Sequence, residues 1–402
     1  MKKILALTLL SAMILSVFAL VGCQNPEGPA VTPTSINVCL SSEPDTIDPA
    51  LNSAVDGATL VAHLFSGLAK WAQDAKGNLV IEADMAEELV EGVANADGTV
   101  TYTYTLKEGL KWNNGDALTA EHVVASWKRA ASTELGADYG YMFEIVKGYG
   151  EELAVEATDD RTIEVTLVNA GPYWNELLAF PTYYPVHPSA YYNEGWATTP
   201  ETYINNGPYV ITAWEHDSKI TLKKNPNYHD ADAVTMDKIE FYLSDDANNM
   251  LANFKNGSWV LIDDVPTNEI KNLKTEYANE FVIAGQIGTY YVCWNVNENI
   301  LPADSKLTGV DAELAQAEIR KAIGLLFDRN YIVESVAQGG QLPASSFVAM
   351  GMTNPDGTEF YKTANSTTDK FNGYYDVSEA AFEANVAAAM EVLNKYYVIE
   401  AK

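Results

Sequence analysis

After Asp97-Gly98 the chain alternates strictly, with Val100, Tyr102, Tyr104 and Leu106 on one face and Thr101, Thr103 and Thr105 on the other. A period of two predicts a strand with one buried face. The same pattern follows Asp159-Asp160, where Ile163, Val165 and Leu167 alternate with Thr162, Glu164 and Thr166. A third strand is predicted at Ile220-Thr221-Leu222, closed by the turn residues Lys224-Asn225-Pro226-Asn227. Between the first two strands the spacing becomes helical. Val123, Val124, Trp127 and Ala131 form one apolar stripe, Thr119 is placed to cap its start, and Lys128 and Arg129 suit its C-terminal end. Asp311 is expected to cap a helix over 312–327 with Leu314, Ile319, Ala322, Ile323 and Leu326 inward, and Ser378 to cap a last helix to about Tyr397. Strands mixed with amphipathic helices, without a repeat, give an α/β class.

The first 22 residues have a different pattern. Lys2 and Lys3 precede an almost unbroken apolar run from Ile4 to Leu20, ending in Leu20-Val21-Gly22-Cys23. This reads as a secretion signal. A small residue before Cys23 resembles the bacterial lipobox, which implies cleavage after residue 22 and a lipid on Cys23, converting a spanning segment into an anchor. Residues 23–35 then read as a flexible tether rich in Pro and polar residues. Cys39 and Cys293 lie in apolar, β-prone runs and are expected to be buried, with a disulfide between them as the alternative.

Composition narrows the function. The 402 residues carry 25 Lys+Arg against 55 Asp+Glu, a net charge of −30, which opposes binding to nucleic acid. Arginine occurs only at 129, 161, 320 and 329, so bidentate grip on a highly anionic ligand is also disfavoured. At this length two or three structural lobes are expected.

No constellation for catalysis stands out. The chain has no Gly-x-Ser-x-Gly elbow, Ser-x-x-Lys pair, zinc-binding His-Glu-x-x-His, Cys-x-x-Cys or glycine-rich nucleotide loop. The five histidines are scattered, and surface or packing roles are expected for them. Acidic pairs such as Asp245-Asp246 and Asp263-Asp264 are unsurprising among 55 carboxylates, although Asp263-Asp264 lies in a mostly apolar run ending at Pro266. No enzyme activity, metal or cofactor is expected. Eight Trp and 23 Tyr suit both cores and wet clefts that hold ligands by stacking and hydrogen bonding.

Several motifs in order resemble the family 5 extracytoplasmic solute-binding proteins, which deliver oligopeptides and dipeptides to ABC importers. They are Glu43-Pro44-Asp45-Thr46-Ile47-Asp48-Pro49, Leu64-Phe65-Ser66-Gly67-Leu68, and the long match from Leu106-Lys107-Glu108-Gly109-Leu110-Lys111-Trp112 through Trp127-Lys128-Arg129. Asn206-Gly207-Pro208-Tyr209 with Asn225-Pro226-Asn227-Tyr228, and Ile319-Arg320-Lys321-Ala322-Ile323 with Phe327-Asp328-Arg329, complete the series. Most of these residues read physically as scaffold: Trp112, Trp127 and the Gly115-Asp116 turn suit packing of a hairpin on its following helix.

The resemblance implies a two-lobed, periplasmic-binding-protein-like class II fold with a small α+β domain inserted in lobe I. Applied here, lobe I is 36–65 and 185–284, the inserted domain 66–184, and a partial lobe II 285–402. Relatives continue past a helix like 378–397, so lobe II is expected to be incomplete. The function implied is a monomeric, non-catalytic receptor, lipid-anchored on the extracytoplasmic face, that closes on a peptide and delivers it to ABC permease subunits. Ser53, Ala54, Val55 and Asp56 match the stretch that runs beside the peptide backbone in relatives, and Tyr141, Asp263 and Tyr290 are further candidates. A receptor of the same fold for a nickel chelate or an oligosaccharide, a peptide-sensing surface lipoprotein without transport, and an acidic hydrolase using a carboxylate pair stay open as alternatives.

Overall fold

A computed structural model describes residues 34–191, 193, 195–354, 358–360, 374 and 376–399. The signal segment, Cys23 and the tether to residue 33 lie outside the described residues. Among the described residues no helix is long and apolar enough to cross a membrane. The chain divides into two compact units at Asp264/Val265, ahead of the 284/285 boundary expected from the sequence.

The first unit contains a four-stranded sheet of β1 (Ser35–Leu40), β8 (Tyr209–Glu215), β9 (Lys219–Lys224) and β10 (Lys238–Leu243), in the order β1-β10-β9-β8. β1 runs parallel to β10 and the other pairs are antiparallel. On its free side β1 takes up Val260 and Leu261 as a short parallel partner, Val260 N–H donating to Asn37 O at 2.9 Å and Cys39 N–H to Leu261 O at 2.9 Å. Helix α1 (Val55–Leu64) buries Gly57, Leu60, Val61 and Leu64, a stripe at helical spacing. At its end Gly207 N–H donates to Leu64 O at 2.8 Å, and a Cβ at Gly207 would lie 2.4 Å from backbone atoms of Leu64 and Phe65. The motif glycine is there because two backbones meet.

Residues 66–184 hold the hairpin β2 (Ala69–Gln73) and β3 (Leu79–Ala83), and an antiparallel sheet ordered β4-β5-β7-β6 from β4 (Val93–Ala94), β5 (Val100–Thr105), β6 (Val155–Ala157) and β7 (Thr162–Leu167). Val100, Tyr102 and Tyr104 of β5 and Ile163, Val165 and Leu167 of β7 are buried, as the alternation predicts. Helix α2 (Ala120–Ala130) begins in a capping box between Thr119 and His122 and buries Val123, Val124 and Trp127. The Trp127 indole packs edge-on against Trp174 and Tyr183, and its N–H donates to the Tyr183 carbonyl at 2.8 Å. Trp112 is fully buried and donates its indole N–H to His122 Nδ1 at 3.2 Å, so the hairpin does pack on its following helix. One apolar core joins the two four-stranded sheets of this unit, from Val38 and Ile47 to Trp127 and Ile163.

In the second unit α3 (Gly309–Leu325) packs on α4 (Phe382–Tyr396) around Ile319, Ala322, Ala389 and Leu393. Across them Lys395 Nζ lies 3.1 Å from Glu318, and the Tyr396 hydroxyl donates to the same carboxylate at 2.6 Å. Three sequence expectations are corrected here. Thr308, with extended backbone, stands at the N-cap of α3, and Asp311 sits one turn in, where its charge still meets the positive end of the helix dipole. Leu314 is 65% exposed, because the inward stripe of α3 runs through Ala315, Ile319 and Ala322 instead. Cys293 is exposed within an extended, aromatic stretch that forms no ladder among the described residues, and both Cys39 and Cys293 are free thiols.

Candidate functional site

The opening motif becomes a loop fastened at two carboxylates. Glu43 accepts from the Trp214 indole at 2.8 Å, from His216 Nδ1 at 2.5 Å and from the Asp217 N–H, at the β8–β9 turn where Asp217 takes a left-handed conformation. Burial alone would raise the Glu43 pKa, but these donors hold it below the usual carboxylate range. Asp48 is buried; it accepts from Arg129 of α2 and from the Trp196 indole at 3.2 Å, and turns back on the loop to accept from the Ala50 N–H at 3.0 Å.

This loop delivers the strip Ser53–Asp56 to the surface. Asn52 donates to Ala54 O at 3.0 Å, Ala54 is the extended N-cap of α1, and Val55 and Asp56 form the first helical turn. Gly57 is packed so closely that a Cβ would lie 2.0 Å from the Asn52 side chain and 2.7 Å from Thr46 O. The helix start is thereby held against the loop, leaving Val55 84% exposed.

A cavity of about 290 Å³ opens beside this strip, lined by Leu40 and Ser41 at the end of β1, by Ala54, Val55, Asp56 and Thr59 of the cap and first turns of α1, and by Asp263. Asp263 arrives because residues 260 and 261 pair with β1. The Ser41 hydroxyl donates to Asp263 Oδ2 at 2.5 Å, and the Ser42 hydroxyl donates to Asp56 Oδ2 at 2.8 Å. Behind this wall, burial reinforced by the Asp263 charge pushes the Cys39 thiol up to about 11.

The structure thus brings together four of the predicted residues, Ala54, Val55, Asp56 and Asp263. Ser53 points to the neighbouring segment, its hydroxyl donating to Asp138 Oδ2 at 2.8 Å. Tyr141 follows three residues later, 54% exposed, beside Tyr139 with ring centroids 6.3 Å apart. Tyr290 belongs to the second unit and is fully exposed. Sequence reasoning missed Ser41, Ser42 and Asp138; a serine pair after an apolar strand carries no signal without its partners. The histidines hold packing or ion-pair positions: His63 meets Phe241 edge-on at 5.3 Å, His229 Nε2 lies 3.1 Å from buried Asp84, and His122 and His187 share the Trp112 ring. Among the described residues no group of three or more His, Cys, Asp or Glu side chains is placed to hold a metal ion.

Residues 81–395 match the family described as bacterial extracellular solute-binding proteins, family 5. The oligopeptide-binding protein OppA of Bacillus subtilis is 31% identical over 98% of this chain and 69% of its own length, and the dipeptide-binding protein DppE of the same organism is 30% identical over 79% of this chain and 56% of its own. The structure of Listeria monocytogenes OppA bound to peptide superposes with a TM-score of 0.72 at 28% identity, covering 92% of this chain and 70% of that one. The α/β fold is therefore the class II periplasmic-binding fold of the OppA proteins, and the chain spans 56% to 70% of the length of these three relatives.

Proposed function

Because the chain belongs to the bacterial extracellular solute-binding proteins of family 5, we propose that it is a receptor that binds peptides on the extracytoplasmic side and hands them to an ABC permease. The observation that carries this reading is the open cavity beside Ser53–Asp56. It supports a site in which an extended peptide runs along the strip, held through main-chain hydrogen bonds, with one side chain entering the cavity and Tyr141 offering further contact. The protein works as a monomer without cofactor or catalytic step. After cleavage following residue 22, lipid on Cys23 keeps it at the membrane. OppA and DppE of Bacillus subtilis bear peptide-binding names and Listeria OppA was solved with a peptide, which favours peptides over other solutes.

Native mass spectrometry of the full chain offered a tripeptide mixture, a maltodextrin mixture and a nickel–histidine chelate tests this. Peptide adducts alone are expected. Adducts with sugar or chelate and none with peptide would replace the peptide reading by another solute.

A further inference from the structure

We propose that the cavity beside Asp56 and Asp263 is a subsite for a positively charged group of the bound peptide, so that the receptor favours cationic peptides. This rests on the peptide-receptor reading above and names its substrate class.

Size is the first argument. About 290 Å³ is at the floor of the range for small-molecule pockets, roughly 300–1,000 Å³, so it accommodates one group and not a whole peptide. Its lining is the second. Leu40, Ala54 and Val55 supply apolar surface, and the only charged side chains in the wall are the two carboxylates. An apolar surface beside a carboxylate suits a lysine or arginine, whose alkyl stem packs while its head keeps polar partners.

The third argument is which carboxylates the ion-paired cations of this unit have taken. Arg129 pairs with Asp48, Arg161 with Glu87 and Glu108, Lys147 with Asp97, Lys219 and Lys238 with Glu240, and Lys70 with Asp84. Asp56 and Asp263 form no ion pair among the described residues; their partners are the neutral hydroxyls of Ser42 and Ser41 and the Gly57 N–H. An ionised carboxylate offers about four acceptor sites, so each keeps capacity for an incoming donor. Asp56 also occupies the first turn of α1, which offsets the attraction of that helix end for an anion. A chain of net charge −30 further steers cationic ligands toward it.

Titration calorimetry of the full chain with Ala-Lys-Ala, Ala-norleucine-Ala and Ala-Glu-Ala, and with the N-acetylated form of each, tests the proposal. A charge-assisted contact predicts Ala-Lys-Ala to bind at least about tenfold tighter than the norleucine peptide, Ala-Glu-Ala weakest, and the preference to shrink on raising salt. In Asp56→Asn and Asp263→Asn the lysine-to-norleucine ratio falls toward one. Should N-acetylation weaken binding tenfold while lysine and norleucine remain equal, the charge received is the α-ammonium and the preference for cationic peptides is overturned. Equal affinity for all peptides, acetylated or not, overturns the cationic subsite and leaves the receptor standing. Binding of none of them overturns both.

Discussion

Arg129 of α2 closes a two-pronged ion pair on Asp48 of the opening loop, Nη2 at 2.6 Å from Oδ2 and Nη1 at 3.2 Å from Oδ1. Side-chain exposure is only 15% for the arginine and 3% for the aspartate. The pair ties residues 81 apart in sequence and fixes the loop from which Ser53–Asp56 emerges. Its planar fork is a geometry that lysine cannot reproduce.

Removal of one partner leaves a buried charge alone. Arg129→Ala is therefore expected to lower the stability of the first unit by about 3–5 kcal/mol, with Arg129→Lys in between. Urea unfolding followed by tryptophan fluorescence measures it. A loss below about 1 kcal/mol, the range of exposed pairs, would show that water reaches the pair.

The contact of Gly207 with the Leu64–Phe65 backbone predicts that Gly207→Ala destabilises strongly, since neither neighbour is a side chain that can move aside. Gly285→Ala, where nothing lies within 4 Å, is the control and should stay within about 0.5 kcal/mol of the parent. Equal melting temperatures for the two variants would contradict the close approach.

Stability should fall as pH drops from 7 to 5. Burial holds His122 below the ordinary histidine value, aided by the neighbouring His187, and burial does the same for His63. The unfolded chain then binds protons before the folded one, so stability is full above the unfolded value near 6.5 and is lost as pH falls through the folded values. His122→Gln keeps an acceptor for the Thr119 N–H and removes one titration, so its melting temperature should depend less on pH across this window. An unchanged slope would remove His122 from the account. Below this window a second loss follows, because Glu43 and Asp84 are held below the carboxylate range despite burial and need their charge for their partners.

The two described thiols should differ in reactivity. Maleimide at pH 8 followed by peptide mapping should label exposed Cys293 in the native protein and Cys39 only after unfolding, since Cys39 is buried and its thiol is pushed up to about 11. Labelling of both at similar rates would mean that the sheet opens at β1.

Elements whose information is local were legible in the sequence. The alternation of β5 and β7 and the stripe of α2 each follow from a period read over a few residues, and the structure buries the faces so read. The start of α3 was misplaced because two residues with capping side chains, Thr308 and Asp311, lie one turn apart and only backbone geometry separates them. Pairing of β1 with β10, and of residues 260 and 261 with β1, joins segments some two hundred residues apart, which no local pattern encodes. For the same reason Asp56 and Asp263 could be singled out separately but not as one wall, Ser41 and Ser42 gave no sign of lying beside them, and Asp138 gave none of meeting Ser53.

The core shared by the two four-stranded sheets of the first unit also bears on protein engineering. Residues 66–184 pair their strands only among themselves, which invites transplantation as a cassette. Yet Arg129 anchors the opening loop, Tyr183 lies in the same apolar cluster as Phe65 and Tyr203, and Asn113 exchanges hydrogen bonds with Asn205. Excision would strip both halves of buried surface at once, so chimaeras with relatives should join at Asp264/Val265, and the hairpin, the helix and the loop beneath the cavity should be exchanged together or left alone.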